Sequence, residues 1–334
     1  MSLHQNSSAA AAGSSTDGVL RHSDRRRVPC GKAARQFQVL RAFVSKGGIY
    51  VLTWPPISRV GSPPAPIKAP DVKKFGTRQL RDSLGQGLDN RRSTEMASLL
   101  NEVLEAHGGL ARWQSFSRVE ADAVTGGGLF PLKGLMPDPS TRRMTVWLKE
   151  ERASVVPFGA PDQRTSFTPE RLAIEKLNGA IVAEWPFPRN DFIGHGLGTA
   201  WTAEHRAYFN GYAMWTYLNT PFLLKWDGVE VEEEEPWREG DEVWRVLRAY
   251  LPGRLASHSP IQRFYFGPDG LLRRHDYNVD VAGSVAAAQL TTDHIEANGI
   301  RLPSRRRAFA MGPDRRPIPE LLLVAIDFSD VVFS

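Results

Sequence analysis

The stretch WTAEHRAYFNGYAMWTYL, residues 201–218, decides the fold. Its aromatic and aliphatic residues recur at spacings of three and four, which predicts a helix from about Thr202 to Leu218. The polar residues of the stretch do not gather on one face; they include Glu204, Arg206, Asn210 and Thr216. A helix that is apolar nearly all round must be covered on more than one side. We therefore expect it to pack into the concavity of a curved sheet.

Outside this helix the hydrophobic period changes to two, which is typical of β-strands. Val119, Ala121 and Ala123, for example, alternate with charged residues. Turn signals separate the strands: Asn178-Gly179, Pro268-Asp269-Gly270 and Asn298-Gly299. We count about ten strands joined by short turns without a βαβ rhythm, which predicts an antiparallel sheet and an α+β, mainly β fold class. A helix from about Met96 to His107 precedes the strands.

Charge divides the chain of 334 residues into two parts. Residues 1–95 hold 16 basic and 6 acidic side chains, whereas residues 96–334 hold 26 and 31. The larger part is therefore acidic, which argues against a nucleic-acid binder. Residues 1–95 are also rich in Ser, Pro and Arg, and we expect them to be a disordered basic segment. Because Met96 opens a well-formed helix, an upstream mis-assigned start would explain that segment, and 96–334 is expected to form a single domain.

No motif of metal or cofactor chemistry appears in the sequence. The single cysteine, Cys30, excludes a disulfide framework and a Cys-based zinc site. The histidines lack metal-ligand spacing, and neither a phosphate loop nor a G-x-S-x-G elbow is present. We therefore expect no metal, no cofactor and no assigned catalytic residue. The alternative is an enzyme in which His258, His275, His294 and Asp293 meet at the mouth of the sheet.

Two runs of like charge are interpreted as solvated strand faces. The acidic run Glu232–Glu235 has no Asp/Gly loop of the kind that holds calcium. In Ser304-Arg305-Arg306-Arg307, the first and third arginines share one face of a strand. Arg305 and Arg307 are expected to pair with the glutamates of a neighbouring strand.

The aromatic content points to a ligand. Eight of the nine tryptophans lie beyond residue 95, and several fall on predicted strands or on the apolar helix. Such side chains fill the core of a large sheet, or they line a cleft for an apolar molecule. For the second case the residues expected to bind the ligand are Tyr208, Tyr212, Trp215, Phe222, Trp147 and Trp244.

Several blocks of the chain resemble known bacterial proteins. EVLEAHGGLARWQSFSRVEA (102–121), RFYFGPDGLLRRHDYNVD (263–280) and ANGIRLPSRRRAF (297–309) are similar to lipoprotein carriers of the LolA and LppX type. Further blocks, AYFNGYAMWTYLNTPFLL (207–224) and PGRLASHSPIQRFYF (252–266), resemble a family of uncharacterised bacterial proteins. The resemblance implies an unclosed antiparallel β half-barrel with a helical lid over an apolar concavity that binds acyl chains.

These observations support one leading hypothesis. The hypothesis favours a binding protein over an enzyme, and the partner of that protein is a hydrophobic or lipid-like small molecule. No run of eighteen apolar residues exists, so no membrane-spanning helix is expected. Neither Met1 nor Met96 is followed by a signal peptide or lipobox, which predicts a cytoplasmic protein. A third hypothesis is a purely structural or interaction protein that uses the edge strand LLLVAIDF, 321–328.

Overall fold

The computed structural model describes residues 41–45, 48–52 and 99–334. The chain divides into two units, Met1–Ala65 and Pro66–Ser334. The described part of the first unit is an antiparallel hairpin of β1 (Arg41–Ser45) and β2 (Gly48–Leu52). Apart from this hairpin, the predicted disorder of residues 1–95 lies outside the described residues and stays a prediction.

The second unit contains a sheet of thirteen strands in which every neighbouring pair is antiparallel. The first six are β3 (Arg118–Gly126), β4 (Arg142–Trp147), β5 (Arg152–Val156), β6 (Gln163–Thr168), β7 (Arg171–Lys176) and β8 (Ile181–Pro186). The other seven are β9 (Glu230–Glu239), β10 (Glu242–Tyr250), β11 (Ile261–Phe266), β12 (Leu272–Val279), β13 (Val285–Ala297), β14 (Ile300–Met311) and β15 (Pro317–Phe333).

The strand order is β8-β7-β6-β5-β4-β3-β15-β14-β13-β12-β11-β10-β9, so β8 and β9 are edges and the sheet is unclosed. The predicted antiparallel, mainly β class is confirmed, with thirteen strands in place of about ten. The strands β5 and β6 were missed because their inward positions carry small or polar residues, such as Ala153 and Thr165, which weaken the hydrophobic alternation.

Four helices accompany the sheet in the described part of the chain: α1 (99–106), α2 (Leu110–Gln114), α3 (Leu129–Leu132) and α4 (Ala203–Asn219). None of them is long and apolar enough to span a bilayer. A capping box opens α4: the Thr202 hydroxyl accepts from the His205 backbone N–H, and His205 Nδ1 accepts from the Thr202 N–H at 3.0 Å.

The helix α4 is inserted between β8 and β9 and is buried along its length, with every residue from Arg206 to Asn219 inaccessible to solvent. It contacts β4 to β7, and Gly211 lies so close to β6 that an added Cβ would be 2.3 Å from the Phe167 ring. It also reaches β12, where the Tyr217 hydroxyl is 2.9 Å from the Tyr277 hydroxyl. Seven strand spacings separate β6 from β12, about 34 Å on a flat sheet. The sheet therefore curves around α4, and we call the surface that α4 contacts the concave face.

A second, smaller apolar cluster lies on the opposite face of the sheet. Trp244, Val246 and Tyr265 form it, with Trp237 packed against them. Their neighbours in the chain, such as Leu247 and Phe264, belong to the main core. Since side chains alternate along a strand, the two clusters lie on opposite faces of β10 and β11.

Candidate functional site

A cluster of buried polar side chains lies between α4 and the concave face of β11–β14. We call it the buried polar cluster; its members are Tyr212, Tyr217, His258, Gln262, His275, Tyr277, Gln289 and Arg306. Its tyrosines come from α4 and β12, and the loop before β11 supplies His258. Polar groups withdrawn from water are costly unless they bond to one another, and these form a connected network.

The centre of the network is His258, which is fully buried. Its Nδ1 is 3.3 Å from the Tyr212 hydroxyl and its Nε2 is 2.6 Å from the Tyr217 hydroxyl. The imidazole stacks on the Tyr277 ring with centroids 3.9 Å apart. Burial lowers the pKa of His258 well below its ordinary value, so the ring is neutral at neutral pH. Burial also raises the pKa of Tyr217 to about 12, which keeps that phenol protonated.

The second histidine of the cluster, His275, is neutral for the same reason. Burial lowers its pKa well below the ordinary value, and His258 and Arg306 add to the effect. Its Nε2 lies 2.6 Å from Gln262 Oε1, an atom that only accepts, so Nε2 carries the proton. Gln262 is itself oriented because its Nε2 donates to the Ser259 carbonyl at 2.9 Å. These contacts hold His275 in place without a carboxylate.

The charge of the cluster belongs to Arg306, whose side chain has no exposed surface. Nη1 donates to Gln289 Oε1 and Nη2 to the Tyr217 carbonyl, both at 2.9 Å, while Nε has no partner. Burial lowers the pKa of Arg306 to about 10, which leaves it cationic at neutral pH. No Asp or Glu within residues 99–334 forms an ion pair with it. Arg306 is therefore a buried cation without an anionic partner.

An apolar crevice adjoins the cluster. It is bounded by Leu129, Leu197, Phe209, His258, Tyr277, Val279, Ala282, Val285, Ala287, Ala308, Leu323 and Val324. Its volume is about 10 Å³, which is room for about one water molecule. Two of its wall residues, His258 and Tyr277, are members of the buried polar cluster. The crevice is thus a narrow seam between α4 and the sheet.

A second cavity, of about 170 Å³, opens on the other side of α4. Arg189, Tyr208 and Asp280 line it together with the loop 251–257. Arg189 Nη1 donates to the Ser257 carbonyl at 2.6 Å, and Nη2 is 3.8 Å from Asp280. This cavity is larger and more polar than the crevice, but both of its arginines already have a carboxylate nearby, Arg189 with Asp280 and Arg254 with Asp227.

Four of the six predicted ligand-binding residues lie in the main core. Tyr208 lines the second cavity, and Tyr212 belongs to the buried polar cluster. Trp215 Nε1 donates to the carbonyls of Trp147 and Glu150 at 3.0 and 2.9 Å, which anchors α4 to β4. The fourth, Phe222, stacks on a tryptophan of α2 at 5.3 Å. Their role in ligand binding stays a prediction.

The structure does not bring the remaining two predicted residues to the same place. The side chain of Trp147 alternates with the buried Met144 and Val146, so it points away from the concave face and lies half-buried beneath Arg152. Trp244 belongs to the smaller cluster on the opposite face. Both were grouped with α4 from their residue type alone, which carries no information about which face of a strand is covered.

The four residues of the enzyme alternative also separate. His258 and His275 share the buried polar cluster, but Asp293 is exposed and pairs with Arg305 at 2.9 Å. His294 lies beyond Gln289 on β13; the five intervening steps place it about 16 Å from the residue opposite His275. Among the described residues there is no group of three His, Cys, Asp or Glu arranged for a metal ion.

The sequence interpretation missed Arg306, Tyr217 and Gln289. Arg305 and Arg307 are expected to pair with glutamates of a neighbouring strand; they do pair across to β15, but the partner is an aspartate, Asp327. The same alternation turns Arg306 toward the concave face. The signal for a buried arginine was therefore present in the run of three.

Comparisons with known proteins give a fold likeness at low identity. No protein-family model and no curated protein sequence matches the chain. A LolA superfamily protein from Nitrosomonas europaea is 11% identical, with a TM-score of 0.41 over 71% of this chain and 92% of that one. A DUF1329 family protein from Desulfovibrio piger is 10% identical, with a TM-score of 0.42 over 72% and 93%.

A third solved structure, from Vibrio parahaemolyticus, is described as an outer membrane lipoprotein-sorting protein domain; it is 9% identical, with a TM-score of 0.39 over 69% of this chain and 93% of that one. The chain is similar to LolA-type proteins. The predicted resemblance is thus confirmed. The expectation of a cytoplasmic protein is contradicted by the description of the third structure, which names outer membrane lipoprotein sorting. That expectation rested on the lack of an apolar leader, and an absence carries little weight.

Proposed function

We propose that the protein binds a hydrophobic, lipid-like small molecule in the apolar crevice between α4 and the concave face. The observation that carries the proposal is the composition of that seam: apart from His258 and Tyr277, its walls are aliphatic or aromatic carbon. The curved, unclosed sheet is consistent with the half-barrel that the sequence resemblance implies. Binding, not catalysis, is proposed because the four candidate catalytic residues do not converge.

The seam exists because the strands carry small side chains where the helix passes over them. Ala287 on β13 and Ala308 on β14 face Phe209 of α4 across the crevice. Larger residues at these positions would fill the space as an ordinary core does. Covering about 300 Å² of ligand carbon contributes roughly 7 kcal/mol before the costs of association. Micromolar affinity is therefore the expected order of magnitude.

A ligand of this size enters only if the crevice opens, and the segment 193–200 is placed to allow it. The segment contains Gly194, Gly196 and Gly198, and it contributes Leu197 to the crevice wall. Lys133 Nζ donates to the Gly196 carbonyl at 2.7 Å, which fastens the segment to α3. Displacing Leu197 would lengthen the crevice without disturbing the hydrogen bonds of the sheet.

The experiment is a titration of the purified full chain with the neutral apolar dye N-phenylnaphthylamine, followed by displacement with long-chain alcohols. We expect micromolar dye binding, and Ala308→Leu should weaken it at least ten-fold by filling the crevice. Ala325→Leu is the matched control because Ala325 lies on the outer face of β15, away from the crevice.

A thermal unfolding curve of each variant shows that it is folded. Leu197→Ala, which widens the crevice, should bind the dye more tightly than the wild type. Absence of dye binding by the wild type, or equal binding by Ala308→Leu, would refute the proposal.

A further inference from the structure

The buried cation at the end of the crevice indicates which class of ligand it takes. We propose that the ligand is a carboxylate-bearing amphiphile whose head group is received by Arg306 while its chain occupies the crevice. This inference rests on the proposed function and adds the chemistry of the head group.

The first argument is that Arg306 is buried without the anionic partner that usually compensates a buried positive charge. Removing a charge from water costs several kcal/mol unless a counter-charge compensates it. Here the guanidinium has two neutral acceptors, Gln289 Oε1 and the Tyr217 carbonyl, and its carbon lies 4.9 Å from the Tyr217 ring centre. The Nε–H donor has no acceptor. A guanidinium has five N–H donors and only two of these are used, so three donors and most of the charge are left for a further partner.

The second argument comes from another arginine of the same sheet, Arg274. It is equally buried, but it donates to both oxygens of Asp276, at 2.6 and 2.7 Å. Arg142, a further buried arginine of the sheet, also pairs with a carboxylate, that of Asp138. Arg206 of α4 is buried without one, but its guanidinium carbon lies 4.5 Å from the Phe130 ring centre and its side chain is not fully enclosed. Arg306 has the same guanidinium fork as Arg274 and no such carboxylate, so the carboxylate is expected from outside the chain.

The third argument is that Arg306 and the crevice lie on one surface. Ala308 and Arg306 are two residues apart on the same face of β14, which places their Cα atoms about 7 Å from each other. The crevice wall residue Tyr277 accepts from Gln289 Nε2 at 3.2 Å, and Gln289 in turn accepts from Arg306. A carboxylate at this end of the crevice bonds Nε–H and the second N–H of Nη2 of Arg306, the same fork by which Arg274 binds its aspartate, while Nη1 keeps its bond to Gln289.

The fourth argument is that nothing else near Arg306 competes for the head group. His258, His275, Tyr217 and Tyr277 are kept neutral by burial. A structural alternative is that Arg306 serves only to bond the carbonyl of Tyr217 in the last turn of α4, where a cation is favoured by the helix dipole. That role uses Nη2 alone and predicts no preference among ligands, which makes the two explanations separable.

The test compares dodecanoate, dodecanol and dodecyl phosphate as competitors for N-phenylnaphthylamine on the wild type and on Arg306→Met at neutral pH. We expect the wild type to bind dodecanoate at least ten-fold more tightly than dodecanol. Arg306→Met should lose this preference while it retains its affinity for dodecanol. Arg307→Gln is the control, since Arg307 lies on the outer face beside Asp327 and should leave the preference intact.

The outcomes separate the inference from the proposed function. If dye and dodecanol bind but dodecanoate gains nothing, the head-group assignment is overturned and the proposed function stands. If no amphiphile displaces the dye, and the dye itself does not bind, the proposed function fails. A preference for dodecyl phosphate over dodecanoate would replace the carboxylate with a phosphate head group. Arg306→Lys, which keeps the charge without the fork, serves if Arg306→Met does not fold; it should retain only part of the preference.

Discussion

Two fully buried arginines, Arg274 and Arg306, lie on opposite faces of the sheet, and their surroundings differ. On the outer face, Arg274 contacts Asp276, the rings of Trp237 and Tyr265, and the Arg315 carbonyl. On the concave face, Arg306 contacts only neutral groups. The charge of Arg274 in the outer cluster is neutralised by Asp276, whereas the charge of Arg306 in the inner cluster has no counter-charge.

This difference separates a structural arrangement from a candidate binding arrangement. Two buried charges that neutralise each other need no ligand, and removing one of them leaves the other stranded. When a buried cation is bonded only to an amide and a carbonyl, removing it leaves no buried opposite charge without a partner. The same substitution should therefore destabilise the two clusters to different extents, and the following tests examine that contrast.

The largest effect is expected for Arg274→Met. The substitution leaves Asp276, which is 3% exposed, without its cation and with the Tyr265 hydroxyl as its remaining side-chain donor. We expect the free energy of unfolding to fall by about 3–5 kcal/mol, as when one partner of a buried ion pair is removed. Urea denaturation followed by tryptophan fluorescence measures it. A loss below about 1 kcal/mol would show that the outer pair is not a buried ion pair in solution.

The second effect concerns the pH dependence of stability and the two histidines of the inner cluster. His258 and His275 have pKa values well below 6.5 in the folded protein because of burial, and they regain the ordinary value on unfolding. Above pH 6.5 both states are neutral and stability is complete. Below it the unfolded state binds more protons, so stability falls as the pH decreases, by up to about 1.4 kcal/mol per pH unit for each histidine.

The measurement is the midpoint of urea denaturation at several pH values between neutral and mildly acidic. His258→Phe, which keeps a ring against Tyr277, should reduce the slope by the contribution of one histidine. His107 also has its pKa lowered, to about 4 by burial, so a residual slope is expected in every variant. An unchanged slope in His258→Phe would mean that the imidazole binds protons as readily in the folded protein as in the unfolded one, against the lowered pKa that burial implies.

Much of the fold follows from local signals in the sequence. Asn298-Gly299 forms the predicted hairpin with φ values of 51° and 78° at its two central residues. At Asn178-Gly179 only the glycine has a positive φ, because the Asn178 side chain accepts from the Ala180 N–H and forms a different turn. The predicted turns therefore indicate which strands are neighbours in most of the sheet, although not how many strands the sheet has.

The site was less predictable because it depends on which face of each strand α4 covers. Alternation places Arg306 opposite its two neighbours, but it does not say that this face is the inner one. Because of the same ambiguity, Trp244 was predicted to bind the ligand together with residues of α4. In the structure, Trp244 and α4 lie on opposite faces of the sheet. Tyr217 and Gln289 meet only through the curvature of the sheet, a long-range property that no window of sequence contains.

A smaller effect is expected for Arg306→Met than for the same substitution at Arg274. The change leaves the Gln289 amide oxygen and the Tyr217 carbonyl without this donor. It also removes a buried charge, and it leaves no opposite charge unpaired. We expect a loss of about 2 kcal/mol in the free energy of unfolding, which is smaller than the loss at Arg274. Measured under identical conditions, a larger loss at Arg306 would show that this cation is structural and would weaken the head-group assignment.

The smallest effect is expected at the surface, where both arginines that flank Arg306 pair with Asp327. This carboxylate is 48% exposed, so water already screens its interactions. Asp327→Asn should lower the free energy of unfolding by less than about 1 kcal/mol, and added salt should reduce the difference further. Arg305, Arg306 and Arg307 are consecutive in the chain. Comparing Asp327→Asn with Arg306→Met therefore shows whether burial, and not position in the chain, sets the contribution of an arginine to stability. A loss as large as that of Arg274→Met would mean that exposure does not set the strength of these ion pairs, and the contrast between the two faces would then need another cause.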